Sequence, residues 1–360
     1  MTSVPSLKNL EKLPLPSFYN PKNAFDWDYR PDIKAIKAEA VEYRKKYGIK
    51  PAAFDKFRVY TMLVDMQKDF LHKNGALYVA GRSGTGAPDD ACRTVEFIYH
   101  YLYLLTKLVP TLDTHQLIQI FHPMFVETAD GGPVAPFTNV EVEDWESGKI
   151  RPTLAAANAV AGGNLMWLTK QCIHYSKELR SKGKMALTIW PEHCLLGTEG
   201  HALLGIVQEA LLFHSYARGV DPSLQVKGGN RLTENYSIYG PEVTTRWDGG
   251  PIAGAQKNTH LLEDMSSAHR VIKKGQAGSH CVAETGRDYK NEIGKKDPAL
   301  LQKVYVVEDC MSPVTVPDGK GGFFVDCTPM QEAALREYRD AGMHVVKSTD
   351  ALASWPGFSV

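Results

Sequence analysis

Apolar runs of strand length alternate along this chain with segments of helical periodicity, and this alternation limits the possible folds. Strands are predicted at 58–64, 108–112, 185–190, 270–273, 304–307 and 344–347, and helices at 91–107, 165–182, 201–218, 281–291 and 330–341. Because parallel strands need long, usually helical connections, the pattern favours a parallel sheet. The sequence therefore predicts one α/β domain with a six-stranded parallel sheet and helices on both faces.

Two regions fall outside this alternation. Residues 1–56 are predicted to be an N-terminal extension, with a Pro-rich start and a charged helical pattern at 32–46. That helix either lies on the core, clasps a neighbouring subunit or is a surface appendage. Residues 57–360 would form the main domain. Within them, 128–163 are rich in Gly, Pro and Ala and are predicted to be a long inserted loop, a type of segment that is usually functional or mobile.

Composition excludes several classes of function. The chain has 41 Lys plus Arg and 41 Asp plus Glu, and no basic cluster, so no nucleic-acid partner is expected. No apolar run approaches the ~18 residues of a membrane span, and the N-terminus lacks a secretory signal pattern. The six cysteines are widely spaced, without a Cys-x-x-Cys pair, and are predicted to be reduced thiols. Together these features predict a cytoplasmic protein.

Cys281 is the first candidate for chemistry. It follows the predicted strand at 270–273 and a glycine, Gly275, and it opens a predicted helix. A thiol at the positive end of a helix is expected to have a lowered pKa and therefore a reactive thiolate. The alternative is that Cys281 is a small buried apolar residue, as most cysteines are.

Other segments supply possible partners for this thiol. Asp65 ends an apolar run, and functional groups in open α/β sheets gather where strands end, although Asp65 could also cap a turn. Lys227 precedes two glycines and points either into a pocket or into solvent. A further apolar run ends in Trp190 and Pro191, and His193 follows two residues later.

Taken together, these residues resemble the nicotinamidase branch of the isochorismatase-like cysteine hydrolases, in that family's order. The matching pieces are Val64-Asp65-Met-Gln-Lys-Asp-Phe70, Asp113-Thr-His115, Trp190-Pro-Glu-His193-Cys-Leu-Leu-Gly-Thr198, Lys227-Gly, Tyr236-Ser237 and Gly275-Gln-Ala277-Gly-Ser-His-Cys281-Val282. The piece that begins at Trp190 is specific, whereas the shorter pieces are common by chance. The match covers roughly residues 57–347 and implies an isochorismatase-like, Rossmann-like three-layer sandwich.

The resemblance implies a catalytic triad of Asp65, Lys227 and Cys281. The thiolate would attack an amide carbonyl and form an oxyanion, for which the backbone amides of Ala277 and Cys281 are the candidate donors. Asp65 would take the thiol proton and pass it to the departing ammonia, and Lys227 would hold both anions by charge. Water would then hydrolyse the thioester. His280, beside the nucleophile, is expected to be a packing or polar-contact residue.

The resemblance also implies a divalent metal held by Asp113, His115 and His193. Two imidazoles and one carboxylate suit zinc, with iron and manganese as alternatives. The family segment normally continues with Pro and a further His within a few residues, whereas this chain reads Gln116-Leu-Ile-Gln-Ile-Phe-His122. His122 either takes the place of that later ligand or is a buried residue of a strand-like run.

Phe70 and Trp190 are expected to sandwich an aromatic substrate ring, with Tyr236 beside it; the alternative for these residues is core packing. The expected function is hydrolysis of the carbon–nitrogen bond of a small carboxamide, with nicotinamide as the leading substrate. One alternative is a related amidase acting on another amide, carbamate or ureido compound, and a second is a non-catalytic ligand-binding or scaffold protein. The expected partners are a small-molecule amide and further copies of the chain in a homo-oligomer.

Overall fold

The computed structural model describes residues 10–358, which form twelve strands and ten α-helices. The strands are β1 Val59–Val64, β2 Leu105–Asp113, β3 Val126–Thr128, β4 Asn139–Val140, β5 Ile150–Pro152, β6 Leu187–Thr188, β7 Gln225–Lys227, β8 Arg270–Gly275, β9 Val304–Val307, β10 Thr315–Pro317, β11 Phe323–Asp326 and β12 His344–Val346. The helices are α1 Ile33–Tyr47, α2 Lys68–Leu71, α3 Gly86–His100, α4 Val142–Glu146, α5 Leu154–Ala161, α6 Leu165–Ser181, α7 Gly205–Arg218, α8 Thr259–Ser266, α9 Cys281–Tyr289 and α10 Thr328–Asp340. Among these residues no helix combines the length and the apolar content that crossing a bilayer requires.

Six strands form one parallel sheet in the order β12-β9-β8-β1-β2-β7. The chain builds outward from β1 through β2 to β7, and then returns to the other side of β1 with β8, β9 and β12. The strand order therefore reverses between β1 and β8. The predicted six-stranded parallel sheet is confirmed.

Strand β1 shows why the sheet is covered on both faces. All six of its residues are buried, as expected of a central parallel strand. Because side chains alternate along a strand, Val59 and Leu63 join the core beside α3 and α7, whereas Tyr60, Met62 and Val64 join the core beside α8, α9 and α10. The result is the predicted three-layer arrangement of helix, sheet and helix.

The sixth strand of the sheet is not the one that the sequence predicted. The run at 185–190 contributes only β6, which pairs antiparallel with β4 outside the main sheet. The edge position is taken by β7, which pairs with the end of β2. Strand β7 is only three residues long and its Val226 side chain is exposed, so it carries no apolar run that a pattern analysis could detect.

The predicted long loop at 128–163 is wrong, because the segment has secondary structure of its own. It contains β4, α4, β5 and α5, and β5 pairs antiparallel with β3. Helix α4 begins with a capping box formed by Glu141 and Asp144, and the Thr153 side chain caps α5. These local caps and short apolar runs hold a compact insertion despite its Gly- and Pro-rich composition.

The described part of the extension packs on the core. Asp32 accepts hydrogen bonds from two backbone amides at the start of α1, and Gly48 ends the helix with φ of 63°. On α7, the Phe213 ring meets Phe18 and Tyr43 edge to face at centroid distances of 5.4 and 5.2 Å. The domain boundary at residue 56 and the homo-oligomer remain predictions.

Removing this aromatic contact should weaken the fold measurably. Phe213 is fully buried, so Phe213→Ala is expected to lower the free energy of unfolding by about 3–5 kcal/mol through lost burial and a cavity. The matched control is Phe54→Ala, since Phe54 is 72% exposed and should change stability by less than about 0.5 kcal/mol. Urea denaturation followed by circular dichroism measures both. Equal stability of the two variants would contradict the packing of the extension on α7.

Candidate active site

Four polar residues meet at the carboxyl edge of the sheet. Asp65 follows β1, Asp113 ends β2, Lys227 ends β7, and Cys281 begins α9 after the turn that follows β8. This place lies next to the reversal of strand order between β1 and β8, where open α/β sheets form their ligand crevice. The topology therefore brings together residues that lie up to 216 positions apart in the chain.

Lys227 is the centre of this group. Its Nζ lies 3.0 Å from Asp65 Oδ2, 3.0 Å from Asp113 Oδ1 and 3.6 Å from Cys281 Sγ. It also donates a hydrogen bond to the backbone carbonyl of Asn235 at 2.9 Å. The predicted convergence of Asp65, Lys227 and Cys281 is therefore present in the structure. Lys227 is buried, so the alternative of a solvated surface lysine is excluded.

Burial controls the ionisation of the cluster. It raises the pKa of the Cys281 thiol well above its ordinary value. The charge of Lys227 lowers this pKa, whereas the charges of Asp65 and Asp113 raise it further. The expectation that the helix end lowers this pKa is therefore wrong. Burial also raises the pKa of Asp65, against the attraction of Lys227. A thiol and a carboxyl group whose pKa values are both raised thus sit side by side, which suits transfer of a proton between them.

Thr111 fixes the carboxylate of Asp65. Its hydroxyl donates to Asp65 Oδ1, and the backbone amide of Asp65 donates to the same hydroxyl at 3.0 Å. Asp65 has φ of 45°, in the left-handed region that Asp tolerates better than most residues. Sequence reasoning missed Thr111, although it lies two residues before Asp113 on β2 and hence on the same face of the strand.

The turn before Cys281 presents two free backbone donors. Among residues 10–358, neither the Ala277 N–H nor the Cys281 N–H donates to a protein acceptor. The turn is held by Gln276, whose side chain donates to Asp90 of α3 at 2.8 Å and accepts from the Ser312 amide at 3.1 Å. Ala277 and Cys281 both line the pocket at the thiol, and their role as an oxyanion hole stays a prediction.

The pocket beside Cys281 is small and mostly apolar. Phe70, Trp190 and Tyr236 all line it, as expected from the sequence, and Trp190 Nε1 donates to the Tyr236 hydroxyl at 3.0 Å. The enclosed free space is about 20 Å³, enough for about one or two water molecules. Entry of any planar amide therefore requires displacement of a lining side chain.

A cluster of metal-ligand type adjoins the triad. One ligand atom each of Asp113, His115 and His193 lies within 4.8 Å of the other two, and all three residues are buried. Asp113 Oδ2 is 3.0 Å from His115 Nε2 and 3.9 Å from His193 Nε2. The two Nδ1 atoms instead lie at backbone carbonyls, those of Gly228 and Pro191, at 3.1 and 2.7 Å. A proton held on Nδ1 in this way leaves each Nε2 lone pair free for a metal.

His122 has the same arrangement. Its ring centroid is 5.6 Å from that of His115 and 5.7 Å from that of His193. Its Nδ1 lies 3.0 Å from the carbonyl of Gln116, and its buried Nε2 has no hydrogen-bond partner among the residues that the structure describes. Burial lowers its pKa to about 4, so the ring is neutral near pH 7. His122 therefore lies beside the cluster, but its ring nitrogens are not among the ligand atoms that lie within 4.8 Å of one another.

Two residues that the sequence analysis did not assign hold Asp113 and His115 in position. The Gln67 side chain accepts from the Asp113 amide and donates to the Asp113 carbonyl, both at 2.7 Å. Gly228 has φ of +83°, and a Cβ there would lie 2.5 Å from Asp113 Oδ1 and 2.7 Å from His115 Cε1. Only glycine therefore fits after Lys227.

Glu234 is a further pocket residue without a sequence signal. It lies in the loop after β7 and lines the pocket together with Asp113 and Cys281. Its Oε1 accepts from the Asn235 amide at 2.9 Å. Burial, with a contribution from Asp113, raises its pKa to about 7. The residue can therefore accept or donate a hydrogen bond near neutral pH.

Comparison with known proteins finds similarity only among solved structures, since no family profile and no curated protein matches the sequence. A yeast nicotinamidase is 16% identical with a TM-score of 0.47, covering 80% of this chain and 99% of its own. The pyrazinamidase of Pyrococcus horikoshii, solved in complex with zinc, is 18% identical with a TM-score of 0.41, covering 81% and 99%. The N-carbamoylsarcosine amidase from Thermoplasma acidophilum is 13% identical with a TM-score of 0.39, covering 82% and 98%. At such distances, residue roles in this chain depend on its own geometry.

The histidine cluster should bind one divalent metal ion per chain. We expect elemental analysis of the purified protein to find about one zinc, iron or manganese, and chelation to lower the melting temperature, because the ion binds only the folded state. His193→Ala should abolish binding, and His122→Ala should weaken it by about 10–100-fold if His122 is a ligand. His174→Ala, in α6, is the control. A metal-free protein whose melting temperature resists both chelation and added metal would contradict the site.

Proposed function

We propose that this chain is a cysteine amidohydrolase that cleaves the carbon–nitrogen bond of a small carboxamide, with nicotinamide as the leading substrate. The observation that carries the proposal is the contact of Lys227 Nζ with Cys281 Sγ, Asp65 and Asp113 in one buried pocket. A thiol, a carboxylate and an ammonium in mutual reach are the groups that covalent amide hydrolysis needs.

Formation of the thioester uses the cluster as follows. A carboxylate oxygen of Asp65 lies within 4.8 Å of Cys281 Sγ and takes the thiol proton. The thiolate forms a bond to the amide carbon, and the carbonyl oxygen becomes an oxyanion that accepts from the Ala277 and Cys281 amides. Asp65 returns the proton to the nitrogen, the carbon–nitrogen bond breaks, and ammonia leaves. Lys227 stays protonated throughout, since the carboxylates raise its pKa although burial lowers it.

Hydrolysis of the thioester uses the same groups, with water in place of the thiol as the attacking group. Asp65 removes a proton from water, whose oxygen attacks the thioester carbon, and the same two backbone amides hold the second oxyanion. Collapse of this intermediate releases the carboxylic acid, and the proton returns to Cys281. Phe70 and Trp190 position the acyl group on either side and exclude bulk water.

The residues present also fit a divalent ion. Asp113, His115 and His193, with His122 as a fourth candidate, would hold it beside the pocket. When bound, the ion would supply a Lewis acid for a ring nitrogen of the substrate or for a water molecule. A pyridine carboxamide matches such a site, with its flat ring between Phe70 and Trp190.

A second candidate is an amidase for carbamate or ureido compounds. Glu234 favours it, because a carboxyl group in the pocket can bind the additional N–H donors of such substrates. A non-catalytic ligand-binding protein or scaffold is disfavoured. Such a protein would have no use for a thiol and two carboxylates buried around one lysine, an arrangement that is costly to desolvate.

Cys281→Ala should abolish turnover while the fold remains intact. The substitution removes the covalent intermediate, so ammonia release should fall by more than about a thousandfold, or ~4 kcal/mol in activation free energy. The assay is ammonia release from a panel that contains nicotinamide, other carboxamides, a carbamate and a ureido compound.

Cys194 is the competing thiol, because it lies next to His193. It is fully buried, and its backbone amide donates to Asp69 at 2.7 Å, which indicates a structural position. Cys194→Ala and Cys92→Ala should both keep most of the activity. Loss of activity in Cys194→Ala together with normal turnover by Cys281→Ala would reverse the assignment.

Lys227→Met should move the acid limb of the pH–rate profile upward. Lys227 stabilises the ionised form of Asp65, so the substitution raises the Asp65 pKa further. On acidification Asp65 is then protonated at a higher pH, and the base is lost there. The profile of kcat/KM is measured beside Lys45→Ala, a control on the exposed face of α1. Superimposable profiles of Lys227→Met and wild type would exclude the coupling of Lys227 to Asp65.

A further inference from the structure

A second cavity of about 410 Å³ lies beside the pocket of Cys281 and is far larger than it. Its walls come from three parts of the chain that lie outside the main sheet: the insertion, the segment that precedes Trp190, and the region of β11 and α10. Representative lining residues are Phe137, Asn139, Ala186, Thr188, Phe324 and Met330. We call this space the outer cavity. Its volume falls in the range of pockets that hold drug-sized ligands.

Within the part of the chain that the structure describes, only Trp190 and His280 line both the outer cavity and the inner pocket. Their rings are almost perpendicular, at 86°, with centroids 5.1 Å apart. His280 is the residue that precedes the nucleophile. Thus a single layer of side chains separates the outer cavity from Cys281.

The His280 ring is held by packing against Trp190 and Tyr236, at centroid distances of 5.1 and 5.5 Å, and by few polar contacts. Among residues 10–358, its side chain has one hydrogen-bond contact, between Nδ1 and Ser279 Oγ at 2.8 Å. The inner pocket has room for only about one or two waters, so a substrate must displace a lining group. Displacement of the His280 ring from its contacts with Trp190 and Tyr236 would join the two spaces.

The lining of the outer cavity indicates the chemistry of its occupant. Phe137, Ala186 and Met330 are apolar, and none of the described residues that line the space is acidic, a lysine or an arginine. The Thr188 hydroxyl donates to Asn139 Oδ1 at 2.8 Å, and the Asn139 amide nitrogen donates to no residue in the described part of the chain. The cavity therefore suits a neutral, largely apolar group with room for one hydrogen-bond acceptor.

We propose that the enzyme accepts, besides small amides such as nicotinamide, primary carboxamides whose acyl group carries a neutral apolar extension, and that the outer cavity binds this extension. This inference depends on the proposed amidase function. Because a primary amide loses only ammonia, the extension must lie on the acyl side of the carbonyl. The amide then reaches Cys281, the chain passes between Trp190 and the displaced His280, and the distal group occupies the outer cavity.

The test is a chain-length series of primary amides, from 3-phenylpropanamide to 6-phenylhexanamide, each compared with the amide that lacks the phenyl ring. Once the ring reaches the outer cavity, kcat/KM for ammonia release should exceed that of the matched alkyl amide at least tenfold. Ala186→Trp fills the cavity and should lower the ratio of kcat/KM for the phenyl amide to kcat/KM for the alkyl amide at least tenfold. Ala38→Trp, at an exposed position of α1, is the matched control and should leave the ratio unchanged.

A second variant and a binding measurement distinguish loss of the outer cavity from misfolding of the variant protein. Phe324→Ala removes a wall whose side chain is 71% exposed, and its control is Phe54→Ala at 72%. Calorimetric binding of 6-phenylhexanamide to Cys281→Ala should weaken at least tenfold when Ala186→Trp or Phe324→Ala is added. Melting curves confirm that each variant is folded.

The outcomes separate the two proposals. Ammonia release with no phenyl preference, or with a preference that Ala186→Trp and Phe324→Ala leave intact, would overturn the outer-cavity site and keep the amidase. Binding that depends on residues 186 and 324, without ammonia release from any amide, would overturn the amidase and with it the substrate role of the cavity. Absence of both release and binding would overturn both.

Discussion

The contact of one lysine with two carboxylates and a thiol is the interaction on which the site depends. Lys227 is fully enclosed, and without its charge Asp65 and Asp113 would be two buried anions in close proximity. Burying ions is expensive unless their geometry and hydrogen bonding compensate. The ends of β1, β2 and β7 supply that geometry, because parallel strands place their carboxyl ends along a common edge.

Asp113 joins the two halves of the site. One of its oxygens faces Lys227 and the other faces His115, so the same carboxylate belongs to the triad side and to the histidine side. Burial opposes its ionisation, but His115 and Lys227 together hold its pKa below the ordinary range. Its two oxygens therefore set the distance between the nucleophile region and the histidines.

Part of this arrangement was predictable, because local signals mark the strand ends and the resemblance of the ordered motifs to a hydrolase family implied which side chains meet. An apolar run followed by Asp65, and a glycine-rich turn before Cys281, mark strand ends directly. The residues at 185–190 misled the strand assignment, since an apolar run indicates burial but not the partner with which it pairs. The sequence did not predict strand β7, because an edge strand of three residues is too short to show an apolar run.

Other parts could not be read from the sequence for physical reasons. The pKa of Cys281 depends on burial and on charges contributed by distant segments, which outweigh the helix end beside it. Glu234 lies in an irregular loop, and only the folded chain shows that it faces the pocket. The secondary structure of the insertion depends on caps at Glu141 and Thr153 that its composition conceals.

The construction of the outer cavity has an evolutionary consequence. Its walls include β4, β6 and β11, which belong to separate two-stranded sheets with no ladder to the six-stranded sheet. None of these three strands carries Asp65, Asp113, Lys227 or Cys281, so a substitution in them leaves the reactive side chains at the strand ends in place. A chain with this fold could thus change the length and polarity of the ligand that it accepts while its reactive centre stays the same.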